Sequence, residues 1–204
     1  MDLNLIDIAI FIVVLLFSVI LHEVMHGFIA DRLGDPTARL LGRLTLNPIK
    51  HIDPFLSILL PLVMLFSTNG QFVFGAAKPV PVDPFNLRDG KKDLAIVSLS
   101  APLTNIAIAL FAAVLFKITG EPFLRGILHL NLVLAVFNLI PIPPLDGSKI
   151  IAMFLSDRQA AAYLSLSSFG MFIIFFLLVF PVGGFSLGDL MFNLISFAEN
   201  LLGI

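Results

Sequence analysis

The stretch that decides the fold is residues 8–30, IAIFIVVLLFSVILHEVMHGFIA. From Ile8 to Leu21 every residue except Ser18 is apolar, and the helical pattern then continues through two histidines and a glutamate. An α-helix needs about 20 predominantly apolar residues to cross a bilayer. The stretch therefore predicts a transmembrane helix that carries ionisable side chains near one end.

These ionisable residues, His22, Glu23 and His26, match the pattern H-E-x-x-H. On a helix, positions i and i+4 lie on one face, so both imidazoles can reach one metal ion, and Glu23 borders the open coordination position. The alternative is a set of polar residues on a water-facing helix surface. Ionisable groups inside a membrane helix cost free energy and usually mark a functional site, so the metal site is favoured.

The composition places the whole chain in a membrane. Of 204 residues, 58% are hydrophobic and 13% are charged, and the mean hydropathy is +1.04. Soluble domains carry about 45–50% apolar and about 25% charged residues. We predict a single membrane-embedded domain over residues 1–204, with a catalytic core at about 8–150 and C-terminal helices at 151–204.

Charge and cysteine content narrow the possible functions. The formal net charge is −2, and no block of basic residues suggests binding to nucleic acid. The chain has no cysteine, which excludes disulfides, thiolate metal sites and cysteine nucleophiles. Any metal ion must therefore be held by histidines and carboxylates.

We predict an all-α polytopic membrane protein with four main transmembrane helices, at residues 8–30, 94–116, 123–140 and 160–182. In residues 187–200, apolar side chains recur at helical spacing on one face and polar side chains occupy the other face. They predict a C-terminal amphipathic or short membrane helix, either packed on the bundle or lying in the interface.

Residues 54–66 are apolar but too short for a standard span, and Pro61 interrupts them. Basic residues follow both the first helix and this segment, and they are Arg32, Arg39, Arg43, Lys50, Lys78, Arg88, Lys91 and Lys92. The positive-inside rule puts both loops in the cytoplasm. They share that side only if residues 54–66 enter the membrane and return, so we predict a re-entrant segment.

A small membrane-associated strand element is predicted beside this segment. Residues 43–47 alternate polar and apolar, and residues 71–74 do so weakly. Pro79 and Pro81 force an extended backbone that lacks donors, which suits the edge of a sheet.

Zinc catalytic sites usually have three protein ligands, so a third must come from elsewhere in the chain. The candidates are His51, His129 and several aspartates, among which Asp146 follows the proline-rich end of the third span. A bare Asp-Gly pair is usually an ordinary turn. With residues 54–66 re-entrant, however, the first and third spans run in the same direction. Asp146 then meets the two histidines at one end of the bundle, which favours it as the third ligand.

At this point the chain resembles the site-2 proteases, a family of zinc intramembrane metalloproteases. The resemblance rests on the helical His22-Glu23-x-x-His26 motif and on the distant Leu145-Asp146-Gly147, preceded by Asn138. Residues 42–54 and 74–82 are similar to the compact prokaryotic branch, which has neither a PDZ nor a nucleotide-sensing domain. The similarity covers most of residues 8–150.

The resemblance implies that His22, His26 and Asp146 bind one Zn²⁺ ion and that Glu23 is the catalytic base. It also implies that Asn138 lines the cleft near the scissile carbonyl, as a second catalytic residue.

Two further residues are weaker candidates for binding substrate. Asn105 lies in Ala101-Pro102-Leu103-Thr104-Asn105, where Ala101 takes the place of a common family glycine. His51 lies in a polar loop bounded by prolines, where a solvated or structurally bonded histidine is the alternative.

The function implied by the resemblance is zinc-dependent hydrolysis of peptide bonds in or near transmembrane segments of membrane-protein substrates. The expected setting is the lipid bilayer of a prokaryotic plasma membrane, with the site open to the cytoplasm, and the oligomeric state is left open. The alternative from another class is a metal-ion transporter that uses the histidine pair as a transport site. A transporter should show ionisable groups along a path through the bilayer, yet residues 94–116 and 160–182 contain no carboxylate.

Overall fold

The computed structural model describes residues 5–59, 63, 66, 77–184 and 186–204. Within these residues the fold is all-helical, with short 3₁₀ turns at Pro48–Lys50 and Pro84–Asn86 and a π-helix at Pro54–Leu59. The α-helices are α1 Leu5–Leu33, α2 Thr37–Leu40, α3 Gly90–Thr119, α4 Pro122–Asn138, α5 Asp146–Ala152, α6 Asp157–Leu164, α7 Ser167–Val179 and α8 Leu187–Leu201.

Glycine and proline set the ends of the long helices. Gly34 follows α1 with φ of 116°, and Gly120 follows α3 with φ of 72°, a left-handed conformation that glycine adopts without steric cost. Pro122 occupies the first turn of α4, where its missing N–H would have had no partner in the helix. These residues end α3 and start α4 within a tight connection, so the two helices pack as antiparallel neighbours.

Helix α3 is the centre of the bundle and packs against α1, α4 and α5. Its small buried residues, including Ala109, Ala112 and Ala113, face Leu128 and Leu132 of α4 in the main apolar cluster. Small side chains allow close approach of helices in membranes. His22 meets Asn105 and His26 meets Val97, so α1 runs antiparallel to α3. Because α4 also runs antiparallel to α3, α1 and α4 run in the same direction, as the prediction for the first and third spans requires.

Two helical stretches are long and apolar enough to cross a membrane, Ile10–Leu33 and Gly90–Thr119. They match the first and second predicted spans, and they make the chain an integral membrane protein. Helix α4 has 17 residues, which corresponds to about 25 Å of helix against a hydrocarbon core of about 30 Å. It begins and ends within two residues of the third predicted span.

The predicted fourth span, residues 160–182, is divided between two helices in the structure. Helices α6 and α7 meet at an angle of 61°. At the break, the Ser165 hydroxyl donates to the Ala162 carbonyl at 2.8 Å and the Ser167 hydroxyl donates to the Leu164 carbonyl at 2.6 Å. Serine side chains thus satisfy backbone carbonyls at the bend, which allows it to form in an apolar segment.

The C-terminal helix α8 packs on the bundle through α4 and α7. Its buried residues are Leu187 and Ile195, and Ile195 joins the apolar cluster formed by α3 and α4. The first of the two predicted locations for this amphipathic helix is therefore the observed one.

The predicted strand at residues 43–47 is wrong, since this segment forms bends with local hydrogen bonds. The Thr45 carbonyl accepts a hydrogen bond from the His51 ring at 2.8 Å, and the Asn47 side chain accepts from the Ile49 N–H at 3.1 Å. These local partners hold the turn before the 3₁₀ helix without strand pairing. The other predicted strand, residues 71–74, lies outside the described residues.

Beyond the π-helix Pro54–Leu59, the predicted re-entrant segment, residues 54–66, lies outside the described residues except for Val63 and Phe66. Its flanks are described, and they meet: the Lys78 N–H donates to the His51 carbonyl at 2.8 Å. Residues 51 and 78 therefore lie side by side.

Candidate metal centre

Three side chains from distant parts of the chain converge at the inner face of α1. The Nε2 atoms of His22 and His26 lie 3.3 and 3.1 Å from Oδ2 of Asp146. All three residues are buried, and their potential ligand atoms lie within 4.8 Å of one another. The structure thus brings together the three residues that the sequence singled out for a metal ion.

The other ring nitrogen of each histidine already has a partner. His22 Nδ1 lies 2.7 Å from Oδ1 of Asn105, and His26 Nδ1 lies 3.0 Å from the Val97 carbonyl, both on α3. Because both partners are acceptors, each Nδ1 carries the proton and donates it. Each Nε2 therefore presents a lone pair toward Asp146, which is how neutral histidines are prepared to bind a metal.

Asp146 reaches the histidines because the chain turns sharply after α4. Pro141, Pro143 and Pro144 prevent α4 from continuing, and α5 starts at Asp146. A Cβ atom at Gly147 would overlap the Leu139 carbonyl, and one at Gly170 of α7 would overlap the Pro143 carbonyl. Glycine at these positions lets the backbone close tightly around the proline turn, which fixes the position of Asp146.

A buried network of polar side chains begins at His22 Nδ1, the ring nitrogen that faces away from Asp146. The Asn105 amide donates to Oδ1 of Asn131 at 3.0 Å, and the Asn131 amide donates to the Ser18 hydroxyl at 3.1 Å. Asn105 and Asn131 have no exposed surface. Asn105 was expected to contact substrate, whereas in the structure its side chain is buried between three helices and pairs with His22 and Asn131.

The Glu23 carboxylate is held by the extended segment at residues 78–81. The Val80 N–H donates to Glu23 Oε2 at 2.7 Å, and the Arg43 guanidinium donates to the Lys78 and Pro79 carbonyls at 2.8 and 3.3 Å. Pro79 and Pro81 have no N–H, so Val80 is the donor available at this point of the extended segment. Sequence analysis missed this contact. The signal was present, because a valine between two prolines supplies the backbone N–H donor that its neighbours lack.

Asp35 anchors the same segment from its other end. It has no exposed surface and accepts hydrogen bonds from the Asp83 N–H at 2.7 Å, the Asn86 amide at 3.1 Å and the Thr37 N–H and hydroxyl. Burial by itself raises the pKa of Asp35, but these hydrogen bonds outweigh it and lower the pKa below its ordinary value. Asp35 was also absent from the predicted site residues.

The side chains of His22, His26 and Asp146 open into a cleft of about 450 Å³. Its polar lining consists of His22, Glu23, His26, Ser98, Asn138, Asp146, Lys149 and Ser167. Asn138 is half-buried, and one of its amide hydrogens bonds to the Leu134 carbonyl at 2.9 Å. A primary amide has a second N–H, so Asn138 retains a donor for a ligand in the cleft.

The other two histidines lie apart from this cleft in the described structure. His51 is 1% exposed and its Nε2 lies 2.8 Å from the Thr45 carbonyl, so it holds the turn after α2, as in the alternative of a structurally bonded histidine. His129 Nδ1 lies 2.7 Å from Oε1 of Glu199 and joins α4 to α8. Neither competes with Asp146 as the third member of the metal group.

The three convergent atoms fit a metal ion. Asp146 Oδ2 is buried without a hydrogen-bond donor among the described residues, and it faces two imidazole lone pairs. Without a cation, three acceptors at this distance would repel one another. Four ligands at zinc–nitrogen and zinc–oxygen bond lengths stand roughly 3.3 Å apart in a tetrahedron, close to the separations observed here.

A membrane-embedded helical fold with this metal group and an adjacent glutamate defines a membrane metallopeptidase. The profile described as Peptidase family M50 matches residues 117–181, which include Asp146 but neither histidine of the metal group. The chain belongs to this family, the site-2 proteases, because two similar relatives extend the match over most of its length.

The first of these relatives is YwhC of Bacillus subtilis, 34% identical over 190 residues, which are 86% of this chain and 83% of that protein. The second is Rip2 of Mycolicibacterium smegmatis, 33% identical over 85% of this chain and 69% of that protein. Both are named provisionally as zinc metalloproteases. A third, the zinc metalloprotease MJ0392 of Methanocaldococcus jannaschii, is 27% identical over 74% of this chain and 35% of that protein. No solved structure matches the chain.

Proposed function

We propose that this protein is a zinc-dependent intramembrane endopeptidase that cleaves membrane-protein substrates in or near their transmembrane segments. The observation that carries the proposal is the convergence of His22, His26 and Asp146 beside Glu23 in one cleft. The names of the relatives support zinc as the metal, and the oxygen and nitrogen ligand set suits it.

In this proposal His22, His26 and Asp146 hold the zinc ion, which supplies Lewis-acid polarisation and acidifies water to a pKa of about 7. Glu23 accepts a proton from the attacking water and delivers it to the leaving amine. The Val80 N–H holds Oε2 of Glu23 and thereby fixes the orientation of the carboxylate. The free N–H of Asn138 donates to the carbonyl oxygen of the scissile bond as negative charge develops there.

The depth of the site determines how substrate and water must reach it. Asp31 follows His26 by five residues and His22 by nine, so the two histidines lie roughly 7 and 13 Å before it along α1. Water therefore enters through the polar part of the cleft. A substrate helix must unwind locally, since its carbonyls are otherwise bonded within the helix.

The proposed topology has four main membrane helices, with α4 as the third and the bent pair α6–α7 as the fourth, and a re-entrant segment at residues 54–66. The hydrogen bond between the Lys78 N–H and the His51 carbonyl supports the re-entrant path. We propose that the open end of the site faces the cytoplasm at a prokaryotic plasma membrane, and the basic residues on both flanks support the cytoplasmic orientation. Residues 1–204 would form one domain, with the core at about 8–150.

The decisive experiment is purification in detergent, followed by metal analysis and a cleavage assay on single-span membrane substrates. Wild type is compared with Glu23→Gln, which preserves the size of the side chain. We expect one zinc ion per chain in both proteins and cleavage by wild type alone. Equal cleavage by both proteins would remove Glu23 from the mechanism.

The same proteins test the transporter alternative, which the family relationship does not favour. Reconstituted into vesicles, neither should move Zn²⁺ across the bilayer. Zinc uptake that is the same in wild type and Glu23→Gln would contradict the peptidase proposal.

A further inference from the structure

The two oxygens of the Asp146 carboxylate have different partners. Oδ2 faces the histidine Nε2 atoms, whereas Oδ1 accepts a charge-assisted hydrogen bond from Lys149 Nζ at 3.0 Å. Asp146 is 4% exposed, so the carboxylate has little access to other donors. One carboxylate oxygen therefore faces the histidines, and the other is bound to the lysine.

The spacing of the two residues creates this arrangement. Asp146 begins α5 and Lys149 follows it by three residues, and side chains at this separation lie next to each other on a helix. The Lys149 side chain is 33% exposed and borders the cleft, so its aliphatic part lies along the wall while its ammonium group points to Asp146. Among the described residues, Lys149 is the basic side chain that forms an ion pair with Asp146.

The separation has a chemical consequence for a metal ion. A carboxylate with two free oxygens can bind a metal through both, which fills a position that a water or a substrate carbonyl needs. An oxygen that accepts a strong hydrogen bond from an ammonium group is a poorer ligand. Hydrogen bonds to ligating carboxylates are known to orient them in this way.

We propose that Lys149 is a positioning residue that reserves Oδ1 of Asp146, so that Asp146 binds the metal through Oδ2 alone and one coordination position stays open. The proposal rests on the proposed function, since it assumes that the His22, His26 and Asp146 group holds a metal ion. It assigns Lys149 no contact with the reacting atoms.

The opposite expectation is that Lys149 acts through charge alone. A cation near a metal site repels the metal, so removal of this charge would then strengthen zinc binding. The positioning role predicts the reverse, because an unrestrained carboxylate loses its orientation. The sign of the change in affinity therefore separates the two.

The test measures Zn²⁺ affinity by competition with a chelator, in wild type and in Lys149→Met, Lys149→Arg and Lys91→Met. Loss of a side chain that hydrogen-bonds to a metal ligand typically costs about 10–100-fold in metal affinity, and we expect a loss of this size in Lys149→Met. Lys149→Arg keeps the donor and the charge and should restore most of the affinity. Lys91 pairs with the Leu155 carbonyl and Asp157 outside the metal group, so Lys91→Met controls for the loss of one positive charge.

A second readout reports the coordination directly. Four-coordinate Co²⁺ absorbs visible light more strongly than five- or six-coordinate Co²⁺. We expect the Co²⁺ form of Lys149→Met to lose intensity relative to wild type, and Lys149→Arg to retain it. Lys149→Ala repeats the test if Lys149→Met fails to fold.

Zinc binding by Lys149→Met that is as tight as or tighter than that of wild type would overturn the proposal, and so would an unchanged Co²⁺ spectrum. These outcomes differ from failure of the proposed function, in which wild type itself would bind no zinc at the His22, His26 and Asp146 group.

Discussion

Oδ1 of Asn105 lies 2.7 Å from Nδ1 of His22, and both side chains are buried between α1 and α3. The amide oxygen can only accept, so this contact fixes the imidazole tautomer with its Nε2 lone pair facing Asp146. Asn131 and Ser18 extend the contact into a network that joins three helices. A residue with no access to the cleft therefore determines whether His22 is ready to bind a metal.

Substitution of Asn105 by alanine should weaken zinc binding by about 10–100-fold, because His22 loses the partner that selects its tautomer. The measurement is a chelator competition on purified protein. Thr104→Ala is the matched control, since its hydroxyl bonds only to the Ser100 carbonyl of its own helix. Unchanged zinc affinity in Asn105→Ala would show that the histidine is oriented by other contacts.

Glu23→Gln should abolish measurable cleavage while the zinc content remains at the level of wild type. Glutamine keeps the shape and can still accept from the Val80 N–H, but it cannot take a proton from water. General-base catalysis typically contributes about 10²–10⁴-fold, and the rate should fall by at least that range. Rates are measured on a single-span substrate in detergent, with metal analysis on the same sample.

Gly27→Ala should slow cleavage without loss of zinc. A Cβ atom at Gly27 would lie 2.7 Å from Val80 Cγ1 and 2.8 Å from Ala38 Cβ, so the segment that holds Glu23 must shift. Overpacking of this kind typically destabilises a fold by about 1–3 kcal/mol. Because the Val80 N–H also moves away from Glu23, we expect kcat to fall by about tenfold, which corresponds to about 1.4 kcal/mol in activation free energy.

The control for Gly27→Ala is Gly126→Ala in α4, where a Cβ atom would meet no atom within 4 Å. This change should leave kcat unaltered, and helix propensity predicts a gain in stability of about 0.5–1 kcal/mol. If both variants cleave at the rate of wild type, the position of Val80 is not important for Glu23.

Asp35→Asn should destabilise the fold at neutral pH by about 1–3 kcal/mol, because the Asp83 N–H loses a charged acceptor in a buried place. The pKa of Asp35 is lowered in the folded state, so its stabilisation is present above the ordinary carboxylate pKa of about 4 and is lost as the pH falls through the lower folded pKa. Thermal melting of wild type and Asp35→Asn across pH 3–7 measures this. A difference between the two proteins that stays constant down to the lowest pH would contradict the assigned role.

Much of the site was predictable because its first half is local. His22, Glu23 and His26 lie within two turns of one helix, so their relative positions follow from helical periodicity. The choice of Asp146 needed one further step, the direction of the third span, and the antiparallel packing of α3 between α1 and α4 agrees with that direction.

The failures have a common physical cause, which is that alternation or hydropathy can be outweighed by specific hydrogen bonds. Residues 43–47 alternate like a strand, but His51 and Asn47 bind their backbone locally. Residues 160–182 carry no charge, but serine hydroxyls stabilise a bend of 61° within them. Neither pattern carries information about which side chain a carbonyl will meet.

The sequence by itself determined that this is a membrane protein and that His22 and His26 share one helix face, since both depend on composition and on spacing within two helical turns. Only the tertiary structure decided which groups hydrogen-bond to the side chains on that helix and orient them. Asn105 lies 83 residues from His22, and Val80 lies 57 residues from Glu23. Contacts at such separations depend on how helices pack and where loops return, and a buried donor or acceptor can be matched to its partner only once that packing is known.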